Sequence, residues 1–194
     1  MENVIENIKS RRSVRKYTEE QISEEALNTI LEAAKYAPSG SNSQCWHFTV
    51  VENKEILLKL NQYVREAFEK LEVDENTYRS IRGGKIAAKN QEYNFYYNAP
   101  TLIIVSNDSN YGNAMADSAC AIENMLLTAN YLKLGACWIN QLTWFQSDEK
   151  IRGLLTTFGI PENYKVCGSA AIGHGAGVIP ANKVIKENTV TIIR

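Results

Sequence analysis

Two stretches of this chain carry the side chains from which chemistry could be built. The first is Arg11-Arg12-Ser13-Val14-Arg15-Lys16-Tyr17. Guanidinium forks match phosphate oxygens two at a time, and a serine hydroxyl adds a neutral donor, so the cluster reads as a phosphate clamp. A solvated basic turn would have the same composition. The second stretch is Pro38-Ser39-Gly40-Ser41-Asn42-Ser43-Gln44-Cys45-Trp46-His47-Phe48. Pro38 cannot continue the helical pattern before it. Gly40 allows positive φ, so backbone N–H groups can turn toward a ligand. Ser39, Ser41, Asn42, Ser43 and Gln44 then offer many hydrogen bonds and almost no charge. That suits a polar, uncharged ligand edge, such as a flavin ring or a sugar-like chain, and it equally suits a ligand-free connector.

Other chemistries find no support. His47 and His174 are the only histidines, and neither has an acidic neighbour that would make it a metal ligand or a triad base. The cysteines at 45, 120, 137 and 167 form no CxxC pair, so reduced, mostly buried thiols are expected rather than a zinc site or a redox dithiol. Gly173–Gly177 lacks the G-x-G-x-x-G spacing, and Pro180 would spoil the helix that should follow. Neither Ser39 nor Ser41 sits in a hydrolase elbow. The chemistry is therefore expected from a cofactor, with the protein supplying donors and charge.

Periodicity supplies the elements that must hold these stretches. Val4, Ile5 and Ile8 mark a short amphipathic helix, and Ser23-Glu24-Glu25 opens a helix that reaches Ala37. Phe48, Val50 and Val51 read as a strand, and Lys54 to about Leu71 as a helix. Residues 72–98 read as a helix, a turn at Gly83-Gly84, and a second helix. Thr101–Val105 is a buried strand followed by a turn at Asn107–Asn110. Ala114–Leu134 is apolar nearly all round, which demands burial on most sides and points to a subunit interface, with Gly135 as its stop. Ala136–Ile139 is a strand ending at Asn140-Gln141, Asp148–Phe158 a helix, Val166–Ile172 a strand, and Thr189–Ile193 a terminal strand.

At 194 residues and 44% hydrophobic, the chain is expected to form a single domain over residues 1–194. A net charge of −1 gives no footprint for nucleic acid. Asp117, Glu123, Asn124 and Asn130 interrupt the longest apolar stretch, so no membrane span is expected. The first residues show neither a basic start nor an apolar run, so a cytoplasmic location is expected.

In order along the chain, the Arg11–Tyr17 cluster, the Ala37–Phe48 loop, the Asp117–Gly135 helix and Gly173-His174 together resemble the FMN-dependent nitroreductase family. That resemblance implies an α+β fold: a central, mostly antiparallel sheet flanked by helices, with the C-terminal strand exchanged between the subunits of a homodimer. It also implies two FMN sites at the subunit interface, NAD(P)H as electron donor, and a small-molecule electron acceptor such as a nitroaromatic or a quinone. By the same resemblance Arg11, Arg12, Ser13 and Arg15 would hold the FMN phosphate, ribityl chain and pyrimidine edge. Pro38, Ser39, Gly40, Asn42 and Gln44 would reach the same FMN from the partner subunit. The Asn140-Gln141 backbone would face flavin N5, and Lys183 would lie near the phosphate, with Lys186 as a possible companion. Gln91 and Asn94 are candidates for the mid-chain contact. The chain departs from the family where His174 replaces a frequent Tyr, Gly175 a Pro, and Asn182-Lys183 an Arg-Lys pair. No acid or base is needed from the protein, because the chemistry would occur at N5. A flavin carrier or sensor without broad turnover, and a specialised branch acting on one metabolite, are the alternatives.

Overall fold

A computed structural model describes residues 3–177, 185–187 and 189–194. Four strands form one sheet in the order β1-β2-β4-β3, and every adjacent pair is antiparallel. They are β1 (His47–Val51), β2 (Thr101–Asp108), β3 (Gly135–Ile139) and β4 (Tyr164–Gly173). The two central strands are the most apolar: β2 is buried from Thr101 to Asn107 and β4 from Val166 to Gly173. Alternation along β2 explains the layering. Leu102 and Ile104 face one core, which α3 (Lys54–Lys70), α6 (Gln141–Phe145) and α7 (Glu149–Thr157) complete. Ile103 and Val105 face the other, built from α2 (Glu24–Lys35) and α5 (Ala114–Tyr131). The sheet is thus buried between two helical layers, as the resemblance implied.

Local chemistry sets the element ends. Ser23, Asn53 and Asp148 each accept a backbone N–H at the start of α2, α3 and α7. The short α1 (Val4–Ser10) buries none of its residues within the chain, and Val4 and Ile5 are exposed.

Several expectations are corrected. Gly83-Gly84 does not break a helix but lies inside α4 (Arg79–Ala87). A Cβ on Gly84 would sit 2.5 Å from the Phe68 ring, so this glycine lets α4 approach α3. Lys85 secures the contact by donating to the Phe68 carbonyl at 3.1 Å and to that of Leu71. No second helix follows. Instead Asn94 accepts the backbone N–H groups of Tyr96 and Asn98, and Tyr97 and Asn98 take positive φ. Strand β2 runs through the expected turn to Asp108, because Asn107 finds buried partners in Ala114 O and Ser118 Oγ. Gly135 begins β3 rather than ending α5, since a Cβ there would lie 2.8 Å from Val14. Residues 189–194 are exposed and form no strand within the chain, and Pro180 lies outside the described residues.

Candidate active site

The basic N-terminal stretch runs along the outer edge of β3. Ser13 bridges Ala136 in parallel, Val14 N donates to Ala136 O at 3.0 Å, and Tyr17 bridges Gly175. Val14 and Tyr17 are buried and fix the register of this segment on the sheet. Arg15 then faces a cavity of about 730 Å³, within the size range of small-molecule sites. Its guanidinium lies 5.9 Å from the Tyr97 ring centroid, a cation–π distance. Asn140, Gln141, Asn94 and Trp144 line the same cavity. The fold therefore gathers Arg15, Asn140 and Gln141 from positions far apart in sequence.

The Asn140-Gln141 step is held from both sides. Trp138 Nε1 donates to Asn140 Oδ1 at 2.7 Å. Asn140 N donates to Gln141 Oε1 at 3.2 Å, and Gln141 Nε2 donates to the Tyr93 hydroxyl at 3.2 Å. The link to Tyr93 was not legible from spacing, because Tyr93 is 48 residues from Gln141.

Arg11 and Arg12 do not join Arg15 in the cavity. Arg11 Nε pairs with Glu123 on α5 at 3.7 Å, and Arg12 donates to the carbonyls of Lys9 and Arg11 at 2.6 and 2.8 Å. Both flank a separate hollow of about 70 Å³ against α5. Ser13 contributes its backbone to the sheet edge. Asn94 lines the main cavity, whereas the Gln91 carbonyl accepts from Arg65 at 3.3 Å. His174 stands 4.0 Å from Glu20 beside a different hollow. Lys183 lies outside the described residues, and Lys186 is exposed.

The polar loop is built differently from expectation. Gly40 does not take positive φ; Ser41, Asn42 and Gln44 do, at 54°, 54° and 46°. Gly40 leaves space instead, since a Cβ there would lie 2.3 Å from Asn113 Nδ2 and 2.6 Å from the Tyr111 hydroxyl and would displace those side-chain ends. Three left-handed residues without glycine's freedom are costly, so the surroundings must hold them. Ser39 Oγ accepts from Gln44 N at 3.2 Å, and Gln44 Nε2 donates to Asn42 Oδ1 at 2.9 Å. The main tether is Asp117, in the first turn of α5 and 6% exposed. Its Oδ2 accepts from Gly40 N at 3.1 Å and from the Tyr111 hydroxyl at 2.8 Å. A carboxylate in the first turn of a largely apolar helix was the signal that could have revealed it. Pro38, Ser39, Gly40, Asn42 and Gln44 do not line the cavity that holds Arg15.

Among the described residues no His, Cys, Asp or Glu cluster could hold a metal ion, and no helix is long and apolar enough to cross a membrane.

Comparison with known proteins accounts for this arrangement. Among solved structures, the chain is similar to a nitroreductase with bound FMN from Bacteroides fragilis NCTC 9343, 44% identical over the whole of both chains, with a TM-score of 0.89. It is also similar to a nitroreductase with bound FMN from Desulfitobacterium hafniense DCB-2, 28% identical over the whole of both, with a TM-score of 0.84. A relative from Archaeoglobus fulgidus, provisionally named an NADH dehydrogenase/NAD(P)H nitroreductase, is 33% identical over 179 residues, 90% of this chain and 86% of its own. The sequence profile of the Nitroreductase family matches residues 8–174, which span the basic stretch, the polar loop, all four strands and the cavity. With its fold and its family profile in agreement, the chain belongs to the nitroreductase family.

Proposed function

We propose that this protein is an NAD(P)H-dependent FMN oxidoreductase that reduces nitroaromatic, quinone or related small acceptors, in one domain spanning residues 1–194. The observation that carries the reading is the cavity joining Arg15 to the Asn140-Gln141 step on a nitroreductase fold. Its donor set fits a flavin: a guanidinium for the electron-rich edge, side-chain amides for the ring heteroatoms, and the Tyr97 and Trp144 rings as walls. FMN, when bound, would take a hydride from NAD(P)H and hand electrons to an acceptor in a second half-reaction, a ping-pong scheme.

The chain's own residues bind, orient and set charge. Arg15 would stabilise negative charge at the edge it faces. Trp138 and Tyr93 hold Asn140 and Gln141, so the backbone at that step is pre-set rather than reorganised on binding. Ser13 and Lys183 are proposed for the phosphate and ribityl contacts, and Arg11 and Arg12 would join them only by leaving Glu123 and the Lys9 and Arg11 carbonyls.

A homodimer follows from the same reading. The polar loop and the Arg15 cavity do not meet within one chain, so a shared ligand needs a loop from a second copy. Ile185, Val190, Ile192 and Ile193 are exposed in the tail, and a strand exchange would cover them. The exposed or half-buried Ala116, Ala119, Cys120 and Leu127 give α5 a surface of small and apolar residues for its twin. The compartment proposed is the cytoplasm.

Steady-state turnover tests the function. Initial rates of NAD(P)H oxidation against a quinone should give parallel double-reciprocal lines at several donor concentrations. Flavin that is reduced once and never reoxidised by any quinone or nitro compound would favour a carrier or sensor instead.

A further inference from the structure

The cavity contains a hydroxyl proton with a forced direction. A backbone N–H can only donate, so the Gln141 atom facing Asn140 N at 3.2 Å must be the amide oxygen. The other end of that amide is then NH2, and it meets the Tyr93 hydroxyl at 3.2 Å as a donor. Tyr93 must accept there, which leaves its own O–H to point elsewhere. No acceptor for this proton stands among the described residues. The ring packs edge-on against Phe68 with centroids 6.1 Å apart, which favours its present position. Burial pushes the Tyr93 pKa up to about 12, with Gln141 opposing and Tyr97 adding to the rise, so the phenol keeps its proton across the working pH range.

We propose that Tyr93 is a specificity-determining residue whose hydroxyl donates a hydrogen bond to the carbonyl or nitro oxygen of the electron acceptor. The inference rests on the flavin-enzyme reading above. It names a chemical class: acceptors with an oxygen that gains negative charge as electrons arrive. Tyr93 transfers no proton in this role; it orients the oxygen and stabilises its growing charge while remaining a phenol. Gln141 tunes the donor by occupying the hydroxyl's lone pair, so Tyr93 and the Asn140-Gln141 step act as one preset unit.

Tyr93→Phe deletes the oxygen and keeps the ring against Phe68. The experiment compares kcat/KM for a benzoquinone with that for ferricyanide, which has no carbonyl or nitro oxygen, alongside the FMN dissociation constant. The expected result is a fall of the quinone-to-ferricyanide ratio by about three- to tenfold, the range for a lost neutral donor, while any loosening of Gln141 acts on both acceptors alike and cancels in the ratio. A parallel loss with both acceptors, or an unchanged ratio, would overturn the assignment. A weakened FMN affinity with the ratio unchanged would instead place the hydroxyl on the cofactor and also overturn it. Absence of FMN binding or of NAD(P)H oxidation in the wild-type protein would sink the underlying reading, and this inference with it.

Discussion

Replacing Asp117 with alanine tests how the polar loop is held. In the native chain Asp117 Oδ2 accepts from Gly40 N and from the Tyr111 hydroxyl. Alanine removes both bonds, but the two losses differ. Tyr111 keeps an alternative acceptor in Gly40 O at 3.1 Å, so its proton is not stranded. Gly40 N–H has no such alternative. A hydrogen bond to a charged group contributes about 1.5–3 kcal/mol. Asp117 also lies in the first turn of α5, where a negative charge adds about 0.3–1 kcal/mol. The expected loss in urea unfolding is therefore about 2–4 kcal/mol. Where the loop opens locally first, amide exchange at Gly40 should accelerate before global unfolding responds. Asp117→Asn keeps a side-chain oxygen in the same place and should recover most of the bond. An alanine variant within about 0.5 kcal/mol of wild type, with Gly40 exchange unchanged, would show that the left-handed residues hold themselves and that the tether is incidental.

Arg15→Ala should weaken FMN retention and lower the flavin midpoint potential, because the negative charge added on reduction loses its counter-charge; equal flavin content with an unchanged potential would give Arg15 another role. Asp148 should make stability acid-sensitive. Burial works to raise its pKa, but Lys70 and the backbone N–H groups of Ile151 and Lys150 outweigh this and hold it below the ordinary value. A depressed carboxylate stabilises the fold above about pH 4 and stops doing so as pH falls through its folded pKa. Asp148→Asn keeps the helix cap and should flatten that acid limb in urea titrations; an identical limb would refute the assignment. Deleting the residues after Pro180 should cost both dimerisation and flavin, and sedimentation with absorbance detection would reveal a truncated protein that stays dimeric and yellow.

Repetitive local physics made most elements legible. The alternation of β1, the apolar run of β2 and the capped periodicity of α2, α3 and α7 each carry their own evidence within a few residues. The failures came where a distant neighbour decided the outcome. Gly84 looks like a breaker until Phe68 is placed against it, and Gly135 looks like a helix stop until Val14 packs on it. Gly40 invited a positive-φ reading, yet what sets it apart is the close approach of the Asn113 and Tyr111 side chains. The site was legible in part for the same reason. The composition of the two polar stretches flagged them as binding segments, but their partners were hidden. Asp117 lies 77 residues from Gly40, and Tyr93 lies 48 from Gln141. The division of the basic cluster, with Arg15 in the cavity and Arg11 turned to Glu123, likewise depends on where α5 lies.

The central claim is that the Arg15 cavity holds FMN and that NAD(P)H reduces it. The visible spectrum of the purified protein, after reconstitution with FMN and removal of excess, tests this most directly. The account predicts flavin absorbance that bleaches on adding NADH or NADPH under anaerobic conditions, and release of FMN alone on heat extraction. A colourless protein after reconstitution, recovery of FAD, or a bound flavin that neither nicotinamide bleaches would contradict it.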